Sequence, residues 1–598
     1  MSGFLALESY SPVLTLIVGL GGFFGLWGGG LLAWRSARLP TPWNHVIAAV
    51  SGILLFSLGC QLMAFASIAS RRVLGVYLAA WMIVGFGYWL SQLTNLRRLW
   101  KILHPWMFLF LIPAAVLLIM AMSGSTKIDE LYYHMLMPAR IVEYQGLKFF
   151  GYPWQSAVPQ MGYQTAFAPF HAIGFPHAGN IISSLLALTF SCFTFALVRE
   201  RHSSAFGASL VAALLLVGMY PVVWYVTGGA HSFGDLSVAA AIVGNVCYPV
   251  APAGVTPRAW RAAISTLLVA GAVSKISLLP LAALVWCWPI VQAWHRNGRI
   301  LYADSLAAAM APWLLFYLPM VLWTWFRSGS PFGPILAGWF GPTVYATDEV
   351  HRAIESQSSR IFPGIGPFIG YGHCLLLWVL VATMWFVRDA PRLLPALALG
   401  LQGILIALLL PLDTRFLGGT QYAAAVLVAM HLPRRWVQWI TCGFWRKAGL
   451  VICLLPWFAV QLYYAAPFAA SVVGMMSRDD FHRRYIAFYD DFQQLNSLLP
   501  PDAEILTAGV RPDSIYFPRK IYVNRMDVTG GHPVYLFACR LTTDQLAQRI
   551  PEQYTLGPLI YRNPNALKSV SRVPGVASKR GLLRVFRLIG REPTPGQH

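Results

Sequence analysis

Charge is what this sequence has least of. Asp, Glu, Lys and Arg make up 11% of its 598 residues, where soluble domains carry about a quarter. So little charge cannot clothe a water-soluble globule, and a mean hydropathy of +0.57 points the same way. Acids are scarcest, 23 against 44 basic residues. Cysteine is thin too: there are eight, with no Cys-x-x-Cys pair and no Cys/His spacing suited to a metal. Cys539 is the single cysteine of the polar C-terminal stretch, which excludes a disulfide within it. A signal peptide is also missing. The first apolar run has no Lys or Arg ahead of it and no polar cleavage region, so it reads as a true span.

What is present is a series of apolar runs, many long enough to cross a bilayer as a helix. They lie near 11–34, 46–69, 73–91, 102–122, 179–198, 204–226, 233–250, 303–325, 372–388, 393–411, 416–432 and 448–468. The run 259–294 is too long for one crossing and carries "AVSKIS" in its middle, which predicts two short spans with Lys275 at the turn. The sum is 14. With the N-terminus outside, the short loops assigned to the cytoplasm hold 17 basic residues, and the short outer segments hold only Arg71, Arg72, Lys275 and Arg415. That bias is the positive-inside pattern, and leaving 259–294 unsplit would reverse every later loop. The net charge of +21 therefore marks helix ends rather than a nucleic-acid partner. Nine of the 12 acids before residue 477 then fall outside, which points to a working face on the non-cytoplasmic surface.

The expected fold class is an all-α polytopic membrane protein of about 14 transmembrane helices with a small C-terminal α/β soluble domain. Residues 1–101 form N-terminal transmembrane helices, and 102–476 a catalytic transmembrane region with outer loops 123–178 and 326–371. Residues 477–598 form an outer α/β domain. In that tail "YIAFYDDFQQLNSLL" and "TTDQLAQRI" read as helices, and "AEILTAG", "KIYVNR", "PLIYR" and "LLRVFRLI" as strands.

One stretch stands out in a chain so short of acids. In "SGSTKIDELYYHMLMPARI", Asp129 and Glu130 follow an apolar run and precede Tyr132, Tyr133 and His134. Helical spacing puts Leu131, Met135, Pro138, Ala139 and Val142 on one side, and Asp129, Tyr133, Arg140 and Glu143 on the other. This predicts an amphipathic helix lying in the membrane interface. The plain reading is a pair of acids favoured by a helix N-terminus, with Glu130 and His134 as an ordinary i,i+4 pair. A metal at Glu130 and His134 would lack further recognisable ligands. No cofactor is certain from the residues, and a divalent metal stays open.

The acidic pair, the Tyr-His and the proline-containing helix resemble the first outer loop of GT-C glycosyltransferases. Within that fold the likeness is to the glycosyltransferase family 39 type, relatives of protein O-mannosyltransferases and lipid A aminoarabinose transferases. "DELYYHMLMPARIVEYQGL" followed by "VPQMGYQ" carries most of it. "GGAHSFGDLSVAAA" is similar to the family's Asp at the start of a later span, and "AGAVSKISLLP" to its short paired helices with Lys at their turn. "RSGSPFGPILAGWFG" resembles its second outer loop, and "DTRFLGGTQY" an Arg–aromatic start to a late span. The likeness covers most of 102–432. Three spans precede the acidic loop here, where many members have one.

The resemblance implies a donor sugar on a polyprenyl phosphate and an inverting displacement by a glycan, lipid or protein hydroxyl. It implies a bacterial inner membrane, with the active site and tail periplasmic in the cell envelope, so membrane lipids are partners and nucleic acid is not. Such transfer needs a carboxylate to take the acceptor's proton and cations where charge builds on the departing phosphate. Asp129 matches the base, and Glu130 is its nearest substitute. Asp235, Lys275, Arg415, Tyr133 and His134 are the substrate-binding candidates, with His231, Arg352 and Arg360 behind them. Each has a plainer alternative. Asp235 would cap a helix, Lys275 would snorkel to the interface, and Arg415 would pair with Asp413. Tyr132, Tyr133, Trp154, Trp325 and Trp339 would join the aromatic belt. The rival functions are a membrane transporter, which would normally show repeated halves and ionisable residues at mid-membrane, and a non-catalytic component of polysaccharide or glycolipid assembly. A ligase or polymerase using a lipid-linked oligosaccharide is the nearest enzymatic alternative.

Overall fold

The computed structural model describes residues 11–92, 104–124, 134–148, 162–217, 230–297, 303–333, 339–343, 398, 418–432 and 434–508, and in the tail 520–522, 532–539, 541, 545–546, 550, 553–569 and 578–590. Three long helices come first: α1 Pro12–Ala33, α2 Trp43–Phe65 and α3 Arg71–Ser91. Ser11 caps α1, its hydroxyl accepting from the Leu14 N–H, and Pro12 sits where a missing N–H costs nothing. The glycines of α1 bring backbones together. A Cβ on Gly28 would collide with the Gly85 carbonyl of α3, and one on Gly30 with the Ala48 carbonyl of α2. Small residues are what let membrane helices approach this closely.

After a 3₁₀ turn at Pro105–Met107 come α4 Phe108–Met122, α5 Leu136–Tyr144, the short α6 Gly162–Thr165 and α7 Ala168–Ala172, and then α8 Ala178–His202. In the most apolar part of α8, 78% of residues are buried inside the molecule, against 17% for α3. So α8 is the centre of the bundle. On α3, Val76, Ile83 and Val84 are exposed, an apolar wall that suits lipid. Next are α9 Ala205–Val217, α10 Ala230–Cys247, α11 Pro257–Ser274 and α12 Leu279–Asn297. The run 259–294 does break at Lys275, which is extended (φ −151°, ψ 122°) and followed by a 3₁₀ turn at Ile276–Leu278.

The run near 303–325 is α13 Ala303–Pro312 and α14 Leu318–Ser328, joined through a π turn at Trp313–Tyr317. Pro312 has no N–H to give, and the hydrogen-bond ladder slips next to it. Later helices are α15 Gly418–His431, α16 Arg434–Thr441 and α17 Phe444–Val472. Among the described residues six helices are long and apolar enough to cross a membrane, or seven if the bent pair Phe444–Pro456 and Phe458–Val472 is one span. The fold is thus largely helical with apolar spans and a small sheet. Twelve of the 14 expected spans coincide with a helix, several too short or too polar to count as crossings on their own. Those near 372–388 and 393–411 lie outside the described residues.

The tail opens with α18 Arg478–Tyr485, capped by the Ser477 hydroxyl, and α19 Tyr489–Leu498. Its strands are β1 Glu504–Ala508, β2 Lys520–Tyr522, β3 Val534–Cys539, β4 Tyr554–Ser569 and β5 Lys579–Gly590, in the order β2-β1-β3-β5-β4. β1 runs parallel to β2 and β3, and β5 runs antiparallel to β3 and β4. Phe488, Phe492 and Leu495 cover one face of the sheet. On the other face Leu506, Leu536, Phe586 and Leu588 form a cluster against which Tyr144 of α5 packs.

That contact corrects the expectation of an amphipathic interfacial helix. Met137, Pro138 and Ile141 of α5 are buried, and so is Arg140 on the supposedly wet stripe, where it pairs with Glu143 at 2.8 Å. Of that stripe Arg140 is buried and Glu143 half-buried, while Asp129 and Tyr133 lie outside the described residues; α2 and α3 pack on Met137 and Ile141, and the tail's sheet on Tyr144.

Candidate active site

The helices α10 and α11 lie together because glycines leave room. A Cβ on Gly234 would collide with the Ser274 hydroxyl, and one on Gly271 with Val238. This close packing sets Asp235, on α10, beside Lys275, at the break after α11. Lys275 Nζ donates to Asp235 Oδ2 at 2.5 Å, and the two side chains are 11% and 3% exposed. The Gly419 backbone N–H, from the second residue of α15, also bonds to Asp235. Three segments far apart in sequence therefore meet at one buried carboxylate. Asp235 is the sixth residue of its described helix and is no cap. Lys275 does not snorkel: its charge is neutralised inside the protein. Two charges this deep are tolerated only when paired and hydrogen-bonded.

A second polar pair joins the segment ahead of α5 to α6. Gln164 Nε2 of α6 lies at hydrogen-bond distance, 2.6 Å, from His134 Nδ1. Next to Gln164, Tyr163 bonds Ser183 at 2.9 Å and stacks on Phe233, ring centroids 4.5 Å apart and 17° from parallel. Phe233 precedes Asp235 by two residues on α10, a spacing that turns the two side chains to different faces of the helix. A small cavity beside the His134–Gln164 pair is lined by His134, Tyr163, Gln164, His171, Asn180 and Ser183 among others. With about 30 Å³ of free volume it has room for a water or two beside these polar side chains.

Where the tail meets the bundle, His177 and His482 are both buried. Burial lowers the pKa of His177 well below the usual histidine value, and the charges of Arg478, His171 and His482 add to this. Burial, and then Arg478, lowers the pKa of His482 to about 3. Among the described residues no group of three or more His, Cys, Asp or Glu side chains could hold a metal ion.

No protein-family model matches the chain, and no curated protein sequence matches it. The chain is similar in structure to the crystal structure of ArnT from Cupriavidus metallidurans bound to undecaprenyl phosphate. The TM-score is 0.48 and the identity 14%, over 80% of this chain and 98% of that one. A likeness this distant assigns neither a substrate nor a residue's role.

Of the residues singled out from sequence, the structure brings Asp235 and Lys275 into contact and fixes His134 on Gln164. Asp129, Glu130, Tyr133 and Arg415 lie outside the described residues, as do Tyr132, Trp154, Arg352 and Arg360. The described helix α15 begins three residues after Arg415. Trp325 and Trp339 are 46% and 79% exposed, which fits the aromatic-belt reading. Sequence reasoning missed Gln164 and Tyr163 as site residues although both lie in the quoted "VPQMGYQ". It also missed Ser57 and Gln61 on α2, whose polar side chains inside a long apolar run were the available signal.

Proposed function

We propose that the chain is a membrane glycosyltransferase of GT-C type. It moves a sugar from a polyprenyl-phosphate donor to an acceptor hydroxyl at the periplasmic face of a bacterial inner membrane. The observation that carries this reading is the meeting of Asp235, Lys275 and the start of α15. These belong to three of the sequence motifs that resemble the family. A charged pair set among apolar spans also suits a donor whose isoprenoid tail stays in the bilayer.

In this reading the acceptor oxygen attacks the anomeric carbon, Asp129 takes its proton, and the bond from that carbon to the phosphate oxygen breaks on the opposite side. Glu130 supports the base, and Tyr133 and His134 bind the sugar or acceptor. Lys275 and Arg415 hold the charge that grows on the departing phosphate. Asp235 orients the Lys275 ammonium and keeps it charged in an apolar surrounding. The tail from 477 is periplasmic and packs on the helix that follows the acidic pair.

The test is single-turnover transfer from the lipid-linked sugar that accumulates in cells lacking the protein. Asp129→Asn keeps shape and polarity but removes the base. Transfer should fall by about 10²–10⁴-fold, the usual contribution of a general base, while thermal stability holds. Glu130→Gln should be milder. Wild-type turnover by a well-folded Asp129→Asn protein would refute the assignment of the base. One observation favours a second reading, a transporter: an ion pair buried among spans is also how proton-coupled carriers are built. Counterflow of a labelled solute in vesicles, without sugar transfer, would select it.

A further inference from the structure

Three helices precede the part of the chain that resembles a glycosyltransferase, and the structure gives them work. The lower half of α2 holds two pieces of the candidate site at once. On one side, Ser57 donates its hydroxyl hydrogen to the Gly162 carbonyl at the start of α6. Ser57 also lies 2.6 Å from the Thr165 hydroxyl, and Gln61 Nε2 donates to Ser57 at 3.0 Å. Thr165 Oγ1 also lies 2.8 Å from the Gly162 carbonyl; with one hydrogen per hydroxyl, two hydrogens serve these three oxygen–oxygen contacts. All four residues are buried. There is no room for slack, because a Cβ on Gly162 would press on Val273 of α11 at 2.8 Å. On the other side, the loop after α2 clasps the end of α5 by two backbone hydrogen bonds. Leu147 N donates to Ala64 O at 3.1 Å, and Ala69 N donates to Gln145 O at 3.0 Å. Ala64, Ala69 and Leu74 pack with Met137 and Ile141 beneath that clasp.

The site spans these two pieces: His134 lies at the head of α5, and Gln164 sits inside α6. We infer that Ser57, Gln61 and Thr165 are positioning residues, which hold α6 in register with α5 so that Gln164 fixes the His134 ring. The N-terminal spans are then part of the site's frame. A hydroxyl ring of this kind is suited to that purpose. The Ser57 and Thr165 hydroxyls are satisfied within it, which favours one arrangement in an apolar interior, while Gln61 Oε1 has no partner among the described residues.

The inference rests on the glycosyltransferase reading for its kinetic arm only. Thr165→Val removes the hydroxyl and keeps the shape, Ser57→Ala removes its partner, and Thr165→Ser restores the hydroxyl. The full-length protein in lipid nanodiscs is followed by amide hydrogen exchange, which reads local opening segment by segment. Thr165→Val and Ser57→Ala should speed exchange in 134–148 and 162–172 by about five- to ten-fold, the worth of roughly one buried hydrogen bond. Exchange in α8, α17 and the tail should stay as in the wild type, and Thr165→Ser should restore protection. With the donor, kcat should fall about ten-fold with KM within two-fold, since orientation and not binding is lost. Unchanged exchange at 134–148 in folded Thr165→Val protein would overturn the inference. So would a rise spread evenly over all spans, which would make the hydroxyls simple bundle packing. A wild-type protein that transfers no sugar would defeat the glycosyltransferase reading, yet the exchange arm would still decide this one.

Discussion

Replacing Lys275 by Met should be among the most damaging single changes in the bundle, and replacing Asp235 as well should undo most of the harm. The two charges are 2.5 Å apart and 11% and 3% exposed, so water screens them little. Lys275→Met leaves a carboxylate buried with the Gly419 N–H as a remaining partner. Breaking a buried pair from one side costs about 3–5 kcal/mol, whereas apolar residues of similar size at both positions are often neutral. Lys275→Met and Asp235→Leu should therefore each destabilise by roughly that amount. The double variant should lie within about 1.5 kcal/mol of the wild type, the cost of a volume-conserving exchange. Reversible unfolding in mixed micelles, followed by tryptophan fluorescence, completes the cycle. A cost under about 1 kcal/mol for Lys275→Met, the range of exposed pairs, would show that water reaches the pair and refute the argument. Activity separates frame from function. The double variant should regain stability without regaining transfer, and full transfer would remove Lys275 from the phosphate site.

Topology gives another prediction: reporter fusions after residues 275, 350 and 480 should read as outside, and those after 297 and 440 as cytoplasmic. A cytoplasmic signal at 480 would overturn the periplasmic site. The seam between tail and bundle should weaken in acid. His482 is neutral when folded, with its pKa lowered to about 3, but takes a proton near pH 6.5 when exposed. The unfolded state thus binds more protons between those limits. Stability should be complete above pH 6.5 and fall below it, His482 accounting for up to about 1.4 kcal/mol per pH unit and His177, held neutral in the same seam, adding to the fall. His482→Gln should flatten that slope in thermal melts taken across the window, and an unaltered slope would place the titration elsewhere.

What the sequence made legible was set by local signals. A lysine in the middle of a 36-residue apolar run had to interrupt it, and the chain breaks at Lys275. The tail's α/β character showed in short alternating runs, but β3, "VYLFAC", was overlooked. Buried at all six positions in the middle of the sheet, it has no alternation to read. Pairing was beyond reach for a different reason. Asp235 and Lys275 are 40 residues apart, and each had a sensible solitary role. Only the approach of α10 to α11 over Gly234 and Gly271 makes them partners. The helix at 136–144 misled because Arg140, on its polar stripe, is buried inside the protein.

The contact of Tyr144 with the tail's sheet has a consequence for how the molecule is made. Leu506, Leu536, Phe586 and Leu588 leave the ribosome hundreds of residues after Tyr144. The helix beyond the acidic pair must therefore wait, unsupported on that side, until the last strands of the sheet have formed. Tyr144 gains these neighbours only once the sheet of the tail is complete.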